Sequence, residues 1–439
     1  MTDGRHRPAG AGSFDPSSPR AVAVELVRRV TDEAAYSNRV WPALLERAGL
    51  AAPDRALASE LGFGTLRRLL WIDRALGALL DRPIERAVPV ARAALRVGAY
   101  QVLHTRVPDH AAVGETVAVV PSRQRGFVNA VLRRLAADPP EPPAGPGDEA
   151  VSARTGLAPW AVAELRRLLG DEAEEAAAAL ASPAPLTIRA NPCRTTVEDL
   201  EAGLRDAGHP AERGGLHAGS LRLAGGAPGA LPGFAEGRFA VQDEASSWVV
   251  DVLGPRPGER VLDACAGPGG KAADIACRSG SVVAADVALA RLGLVGETAR
   301  RLGVHVRLVA QDASAPALAR GFERVLVDAP CSGLGSARRR PELLWRPQRR
   351  GLSGLARLQV RILAGAASVL RPGGVLLYSV CTFPRAETDA ACDAFLAKAE
   401  GLQPDPFGGP DGGRVTRARL WPHRHGTDAM FVARFVRAD

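Results

Sequence analysis

At 439 residues with 46% hydrophobic content, the chain is long enough for two or three domains with real cores. No apolar run of eighteen residues occurs and the first residues, Met-Thr-Asp-Gly-Arg-His-Arg-Pro, lack a signal peptide's hydrophobic stretch, so no membrane contact and a cytoplasmic location are expected. The net charge of +8 fits a polyanionic partner, and six scattered cysteines without a Cys-x-x-Cys pair or a Cys/His cluster argue against zinc and against disulfides, so free thiols and no metal are expected.

Residues 1–19, rich in Gly, Pro, Ser and Arg, read as a disordered tail. From Ala21 to Leu135 the apolar period is helical, with Gly and Pro at short intervals, which predicts an all-α bundle over residues 20–136. Of the 56 basic residues only Lys271 and Lys398 are Lys, so this chain uses Arg almost wherever Arg will serve. Ala136 to Glu149, with Pro at 139, 140, 142, 143 and 146, can bury almost nothing, and a linker is expected over 137–150. Residues 151–240 read as a small α+β module: helical stretches at Ala158–Leu169, Asp171–Leu180 and Val197–Ala207 flank a strand-like Pro185–Pro192.

From residue 241 to 439 strand, turn and helix alternate. Candidate strands are Arg260–Cys265, Ser281–Asp286, His305–Ala310, Arg324–Asp328, Val375–Val380 and Met430–Val436; helices lie near Gly270–Ser279, Leu289–Leu302, Leu355–Leu370 and Glu387–Ala399. That rhythm predicts a parallel, doubly wound α/β sheet of Rossmann-like kind, with Asp263, Asp286 and Asp328 at strand ends lining one crevice.

The stretch Cys265-Ala266-Gly267-Pro268-Gly269-Gly270-Lys271 joins the first strand to a helix through glycines that let backbone approach a ligand. Pro268 separates it from Gly-x-Gly-x-x-Gly, and it lacks a phosphate loop's Gly-Lys-Ser/Thr ending. Asp286 ends the next strand, where a carboxylate accepts from ribose hydroxyls, and Asp312 follows the third, where it would meet an adenine amino group or simply form a turn. A nucleoside cofactor follows, S-adenosylmethionine before NAD. Lys271 places a compact ammonium where a guanidinium fork fits poorly.

Two cysteine turns follow later strands, Asp328-Ala329-Pro330-Cys331-Ser332-Gly333 and Tyr378-Ser379-Val380-Cys381-Thr382. A thiol three residues from a strand-end carboxylate makes Cys331 the first candidate nucleophile, and Cys381 on the adjacent strand points to two-thiol chemistry. The run Ala337 to Arg350, with Arg338, Arg339, Arg340 and Trp345, is either a solvated face or a surface for phosphates and stacked bases, and RNA contact is the favoured reading. Arg123, Arg125, Arg133 and Arg134 in the helical region are read the same way.

Taken together, Asp-Ala-Cys-Ala-Gly-Pro-Gly-Gly-Lys, Asp-Ala-Pro-Cys-Ser-Gly, Tyr-Ser-Val-Cys-Thr and Val-Gln-Asp-Glu-Ala-Ser (241–246) resemble the Sun/Fmu (RsmB-type) RNA cytosine-5 methyltransferases. Gly-Phe-Val-Asn-Ala-Val-Leu-Arg (126–133) resembles the NusB-type RNA-binding domain of members acting on bacterial small-subunit (16S) ribosomal RNA. The resemblance covers nearly the whole chain beyond the tail. It implies a NusB-like bundle, a small RNA-contacting module and an S-adenosylmethionine-dependent methyltransferase domain, with cofactor contacts at Cys265 through Lys271, Asp286, Asp312 and Asp328. It also implies that Cys381 is the nucleophile, that Cys331 assists product release, and that Arg189 and Asn191 lie near RNA. The sequence departs from the family pattern at Leu334, Val380, Thr382 and Thr388.

The expected chemistry is addition of the Cys381 thiolate to C6 of an unpaired or flipped cytosine, attack of C5 on a sulfonium methyl group, and elimination assisted by Cys331, with Asp328 on the cytosine N3/N4 edge and Lys271 beside it. A monomer is expected. Alternatives are methylation of transfer or other RNA, a non-catalytic RNA-binding factor, which needs neither the cofactor loop nor the thiols, and an NAD-dependent reductase, against which Pro268 and the paired cysteines argue.

Overall fold

The protein is described here by a computed structural model covering residues 17–438; residues 1–16 of the expected tail lie outside the described residues. The chain forms two compact units, one comprising the residues up to Ala181 with Arg339–Arg346, the other Ser182–Arg338 with the residues from Pro347 onward.

The first unit is helical. Its bundle holds α1 (Pro19–Asp32), α2 (Ser37–Ala48), α3 (Ala52–Arg67), α4 (Leu69–Gly77), α5 (Pro89–His104), α6 (Asp109–Ala118) and α7 (Ser122–Ala137). Ser18 caps α1 by accepting from Ala21 N, with Pro19 at the first helical position. The helices close around a core that includes Leu26, Val27, Leu61, Ile72, Leu95, Val128 and Leu132. Three further helices, α8 (Asp148–Thr155), α9 (Pro159–Leu169) and α10 (Ala173–Ala181), cluster with this unit; α9 and α10 fall where helices were expected, and α8 was not expected. The proline-rich segment before α8 is pinned: Arg154 donates to Pro143 O (2.8 Å) and Gly145 O (2.9 Å).

Residues 339–346 are also part of this unit, which corrects the reading of the arginine run. Trp345 packs against the helical core and its Nε1–H donates to Leu66 O at 2.9 Å. Glu342 is fully buried, accepting from Ser37 N (3.0 Å) and Ser37 Oγ (2.7 Å) at the start of α2. Arg346 donates to Val30 O and Ala35 O at 2.8 Å each, where α1 ends. Arg338, which belongs to the second unit, is buried and donates within that unit to Gly426 O at 2.9 Å, while Arg339 and Arg340 are half-buried. Trp345 and Arg338 are therefore structural groups, not an exposed nucleic-acid surface; the exposed arginines of the run are Arg349 and Arg350.

The second unit opens with a four-stranded antiparallel sheet of β1 (Leu186–Ala190), β2 (Ala211–Arg213), β3 (Ser220–Leu223) and β4 (Phe239–Val241), ordered β2-β3-β1-β4, with α11 (Val197–Asp206) between β1 and β2. Leu200 and Leu204 of α11 cover Ile188, Leu221 and Phe239. Arg189 is buried here, paired with Asp274 (3.3 Å) and donating to Gln242 Oε1 (2.9 Å). Asn191 is buried too, its Nδ2 donating to Gly237 O and Leu302 O at 2.8 Å each. Both expected RNA contacts are thus corrected: these side chains are consumed inside the protein. Cys193 and Cys277 are joined as a disulfide, against the expectation of free thiols; their separation of 84 residues leaves no spacing signature to read.

The main sheet comprises β5 (Arg260–Asp263), β6 (Ser281–Asp286), β7 (Arg307–Ala310), β8 (Phe322–Asp328), β9 (Leu370–Val380), β10 (Leu402–Pro404), β13 (Arg417–Leu420) and β14 (Met430–Arg437); Phe407–Gly408 and Arg414–Val415 (β11, β12) form a separate ribbon. Its order is β10-β14-β9-β8-β5-β6-β7, with β13 on β14. Strands β5 to β9 are parallel, as expected, but β14 runs antiparallel to β9, so the sheet is mixed. Helices α12 (Glu244–Leu253), α13 (Gly270–Ser279), α14 (Leu289–Leu302), α15 (Leu352–Ser368) and α16 (Asp389–Leu396), with the short α17 (Pro422–His425), complete the unit. Because β5 leads to β6 on one side while β8 pairs with its other side, the order reverses at β5, where ligands bind in such sheets.

The Arg189–Asp274 pair supplies a stability test. Asp274→Ala strands a guanidinium buried to 2% exposure and is expected to cost about 3 kcal/mol by urea unfolding, as breaking a buried pair does.

Candidate active site

Strand β5 ends at Asp263, and the loop Ala264–Gly269 carries the chain to α13. Ala266 N donates to Ala285 O at 2.9 Å and Gly267 N to Asp286 Oδ2 at 3.2 Å, so the loop is tied to the end of β6. Gly269 stands at φ +104°, and a Cβ there would lie 2.9 Å from Val295 Cα; a Cβ at Gly267 would lie 2.7 Å from Arg291 Cβ. Glycine is needed at both positions for the loop to lie against α14 with the amino end of α13 turned to the crevice. Pro268 follows a cis peptide bond.

Asp286 is buried; its Oδ1 accepts from Ala288 N and Arg291 Nε at 2.9 Å each. Just beyond it Val287 and Leu289 are 67% and 75% exposed, an apolar surface that motif reading did not single out. Asp312 is exposed after β7 and accepts from Ser314 N at 2.8 Å, the turn-forming bond that was its alternative reading.

Lys271 and Asp328 meet at the centre, Nζ to Oδ2 at 2.6 Å. Ser379 Oγ, one strand over, donates to Asp328 Oδ1 at 2.8 Å, and Ser246 Oγ of α12 lies 3.5 Å from the ammonium. Burial opposes the charge on Lys271, but Asp328 and then Asp263 hold its proton affinity above the ordinary value, with the charge of Cys381 adding to them. Asp263 is wholly buried; burial, then the Asp328 charge, push its carboxyl up to about 7 despite Lys271. The other residues of the Val241–Ser246 motif frame the site. Asp243 caps α12 by accepting from Ala245 N at 3.0 Å, and buried Glu244 accepts from Leu216 N (2.6 Å) and His217 N (3.0 Å).

The thiols meet because β8 and β9 are parallel neighbours in a register that pairs Asp328 with Ser379. Each chain then turns, bringing Cys331 Sγ to 3.5 Å from Cys381 Sγ. Gly335 N donates to Cys381 O at 3.0 Å, joining the turns. The hydrogen bond to Cys381, then burial, then the charges of Cys381, Glu387 and Asp328 raise the Cys331 thiol well above its usual range. Burial likewise raises Cys265. Both Cys331 and Cys381 are half-buried, and Cys392 is fully buried against the sheet.

Three of the expected site groups, Lys271, Asp328 and the Cys331–Cys381 pair, therefore share one crevice with the glycine loop; Arg189, Asn191, Arg338 and Trp345 do not take part. Sequence reasoning missed Ser246, Ser379 and Ser332, and took Glu387 only as the start of the helix expected near Glu387–Ala399. Among the described residues no helix is long and apolar enough to cross a membrane, and no group of three or more His, Cys, Asp or Glu could hold a metal.

Comparison with known proteins gives three matches along the chain. Residues 17–137 match the NusB family, residues 158–228 the ferredoxin-like domain of RsmF/B-like methyltransferases, and residues 250–436 the family described as 16S rRNA methyltransferase RsmB/F. The chain is 36% identical to ribosomal RNA small subunit methyltransferase B of Xylella fastidiosa over 96% of this chain and 99% of that one. It is 34% identical to the protein of the same name in Salmonella arizonae, over 89% and 93%. Among solved structures, PH0851 aligns over 97% of this chain and 99% of its own with a TM-score of 0.86 and 25% identity. A methyltransferase homologue from Pyrococcus horikoshii aligns over 67% and 100%, with a TM-score of 0.58 and 27% identity.

Asp263 supplies a pH test. A carboxyl raised from 3.8 to about 7 binds its proton more tightly folded than unfolded, so its contribution is full below about pH 4 and is lost as pH rises through 7. Asp263→Asn is expected to flatten that fall, gaining on the order of 2 kcal/mol over wild type between pH 5 and pH 8 in urea unfolding.

Proposed function

The chain belongs to the 16S rRNA methyltransferase RsmB/F family, and on that premise we propose that it methylates C5 of a cytosine in small-subunit ribosomal RNA through a covalent bond between Cys381 and C6. The observation that carries this reading is the 3.5 Å approach of Cys331 and Cys381 beside the Lys271–Asp328 pair, at the reversal point of the sheet.

The crevice suits S-adenosylmethionine. The glycine loop and the amino end of α13 would face its amino-acid part, Asp286 with Gly267 its ribose, Val287 and Leu289 its purine, and Asp312 the purine edge. The Asp328 carboxylate would favour the cofactor's positive charge. When bound, this cofactor supplies a methyl group on a positively charged sulfur.

Cytosine C5 is a weak nucleophile until a group adds to C6. The Cys381 sulfur is the adding group: Lys271 places positive charge near it, favouring the thiolate that attacks. Asp328, held by Lys271 and Ser379, is aimed by these bonds and presents its edge to cytosine N3 and N4. After methyl transfer the C5 proton is removed, its electron pair forms the C5–C6 double bond, and the bond from C6 to Cys381 breaks with Cys331 assisting. Such a base must leave its stack, so the substrate is an unpaired or flipped cytosine.

Transfer of tritiated methyl from S-adenosylmethionine to 16S rRNA tests the assignment, and bisulfite mapping with and without the gene locates the cytosine. Cys381→Ala is expected to abolish both transfer and covalent adduct, whereas Cys331→Ala accumulates a protein–RNA adduct stable on denaturing gels. Adduct with Cys381→Ala and none with Cys331→Ala would reverse the roles; no transfer to any ribosomal RNA fragment would remove the reading.

A further inference from the structure

Glu387 is a wholly buried carboxylate six residues beyond Cys381, in the short helical turn Arg385–Glu387. Among the described residues no lysine or arginine pairs with it. Its partners are instead the residues around the two thiols. Ser332 N donates to Oε1 at 2.9 Å and Ser332 Oγ to Oε2 at 2.6 Å. Gln359 of α15 donates to Oε1 at 3.1 Å and, with the same amide, to Pro330 O at 3.0 Å. Ser332 Oγ also lies 2.7 Å from Thr382 Oγ1, so the residue after each cysteine hydrogen-bonds to the residue after the other. Tyr378 OH closes the turn onto β9 by donating to Glu387 O at 2.7 Å.

Burying a carboxylate without a cation is costly, and three donors compensate only part of that cost. Burial in fact raises the Glu387 carboxyl, while the bonds from Ser332 and Gln359 pull it back. The charge has a direction. The charges of Cys381, Glu387 and Asp328 all disfavour a negative charge on Cys331, whereas the Lys271 ammonium and a charge on Cys381 favour each other.

We propose that Glu387 is a positioning residue that fastens the Cys331 turn against the Cys381 turn and keeps the shared proton on Cys331, leaving Cys381 as the sulfur that attacks. The proposal deepens the two-thiol reading above and rests on it. On this proposal Cys331 S–H is the donor in the 3.5 Å resting contact with Cys381 Sγ. In release, the C5–H electron pair becomes the C5–C6 double bond and the C6–S bond breaks with its pair on Cys381. The Cys331 proton passes to Cys381, and the proton lost from C5 replaces it on Cys331. Departures of this chain from the family pattern fall within the same network, since Thr382 supplies the hydroxyl that meets Ser332 and the Thr388 hydroxyl donates to Pro384 O at 3.0 Å.

The test is alkylation of the full-length chain by iodoacetamide between pH 6 and pH 10, with the Cys331 and Cys381 peptides quantified by mass spectrometry. In the wild type Cys381 is expected to react at lower pH than Cys331. Glu387→Gln keeps the shape and removes the charge, and should move the Cys331 onset down by about one pH unit with little change at Cys381. Glu387→Asp restores charge and should recover most of that shift, a rescue that a purely structural role does not produce. An unmoved Cys331 profile in folded Glu387→Gln overturns the proposal, as does Cys331 reacting first in the wild type, an ordering readable even if the Gln variant does not fold. The readout needs no RNA, so failure of methyl transfer would sink the functional reading separately.

Discussion

The parallel register of β8 against β9 is the constraint on which the site depends. Pairing Asp328 with Ser379 brings two strand ends level, so the turns that follow deliver Cys331 and Cys381 from sequence positions fifty residues apart to sulfur contact. The same register lets Ser379 reach Asp328, whose other oxygen is held by Lys271 from α13. A slip of one residue would turn alternate side chains of β9 to the opposite face and separate all of these groups. Register at this point is firmly specified, because both strands are buried among Val325, Val327, Leu376, Tyr378 and Val380.

Charge in the crevice is arranged rather than summed. Asp328 and Asp263 act on one ammonium, Lys271, and burial makes the Asp263 carboxyl and, across the thiol turns, the Glu387 carboxyl costly to ionise. Lys271 and Asp328 settle as an ion pair, and Asp263 holds its proton up to about neutral pH. One cation and several acids leave two neighbouring thiols in different fields, which is what a pair with different jobs requires. A short, compact Lys in a chain that otherwise uses Arg fits this position, where the ammonium sits within 2.6 Å of one carboxylate oxygen and 3.5 Å of a serine hydroxyl.

Much of this was legible in the sequence where chemistry and periodicity coincide. The parallel strands β5 to β9, helices α13 and α14, and the meeting of Cys331 with Cys381 follow from apolar runs that end in Asp, Gly, Pro and Cys. What the sequence hid were pairings between distant polar groups. Arg189 reads as an RNA contact until Asp274 is seen beside it, and Asn191 until the carbonyls of Gly237 and Leu302 are. The run around Arg338 misleads for a compositional reason: with Arg used nearly everywhere, an arginine cluster says little about phosphate, and Trp345 is an anchor in a helical core. The direction of β14 is invisible to an alternation pattern, since a buried strand reads alike either way, and it alters the sheet from parallel to mixed. Glu387 escaped notice because its importance comes from burial and from Ser332, neither of which spacing reveals.

The account turns on which sulfur bonds to the base. RNA carrying 5-fluorocytidine at the target position cannot lose its C5 substituent, so methyl transfer halts at the covalent stage. Digestion of that complex and mass spectrometry of the cross-linked peptide identify the attached residue directly. The account predicts attachment at Cys381, with Cys331 unmodified; attachment at Cys331 would contradict it.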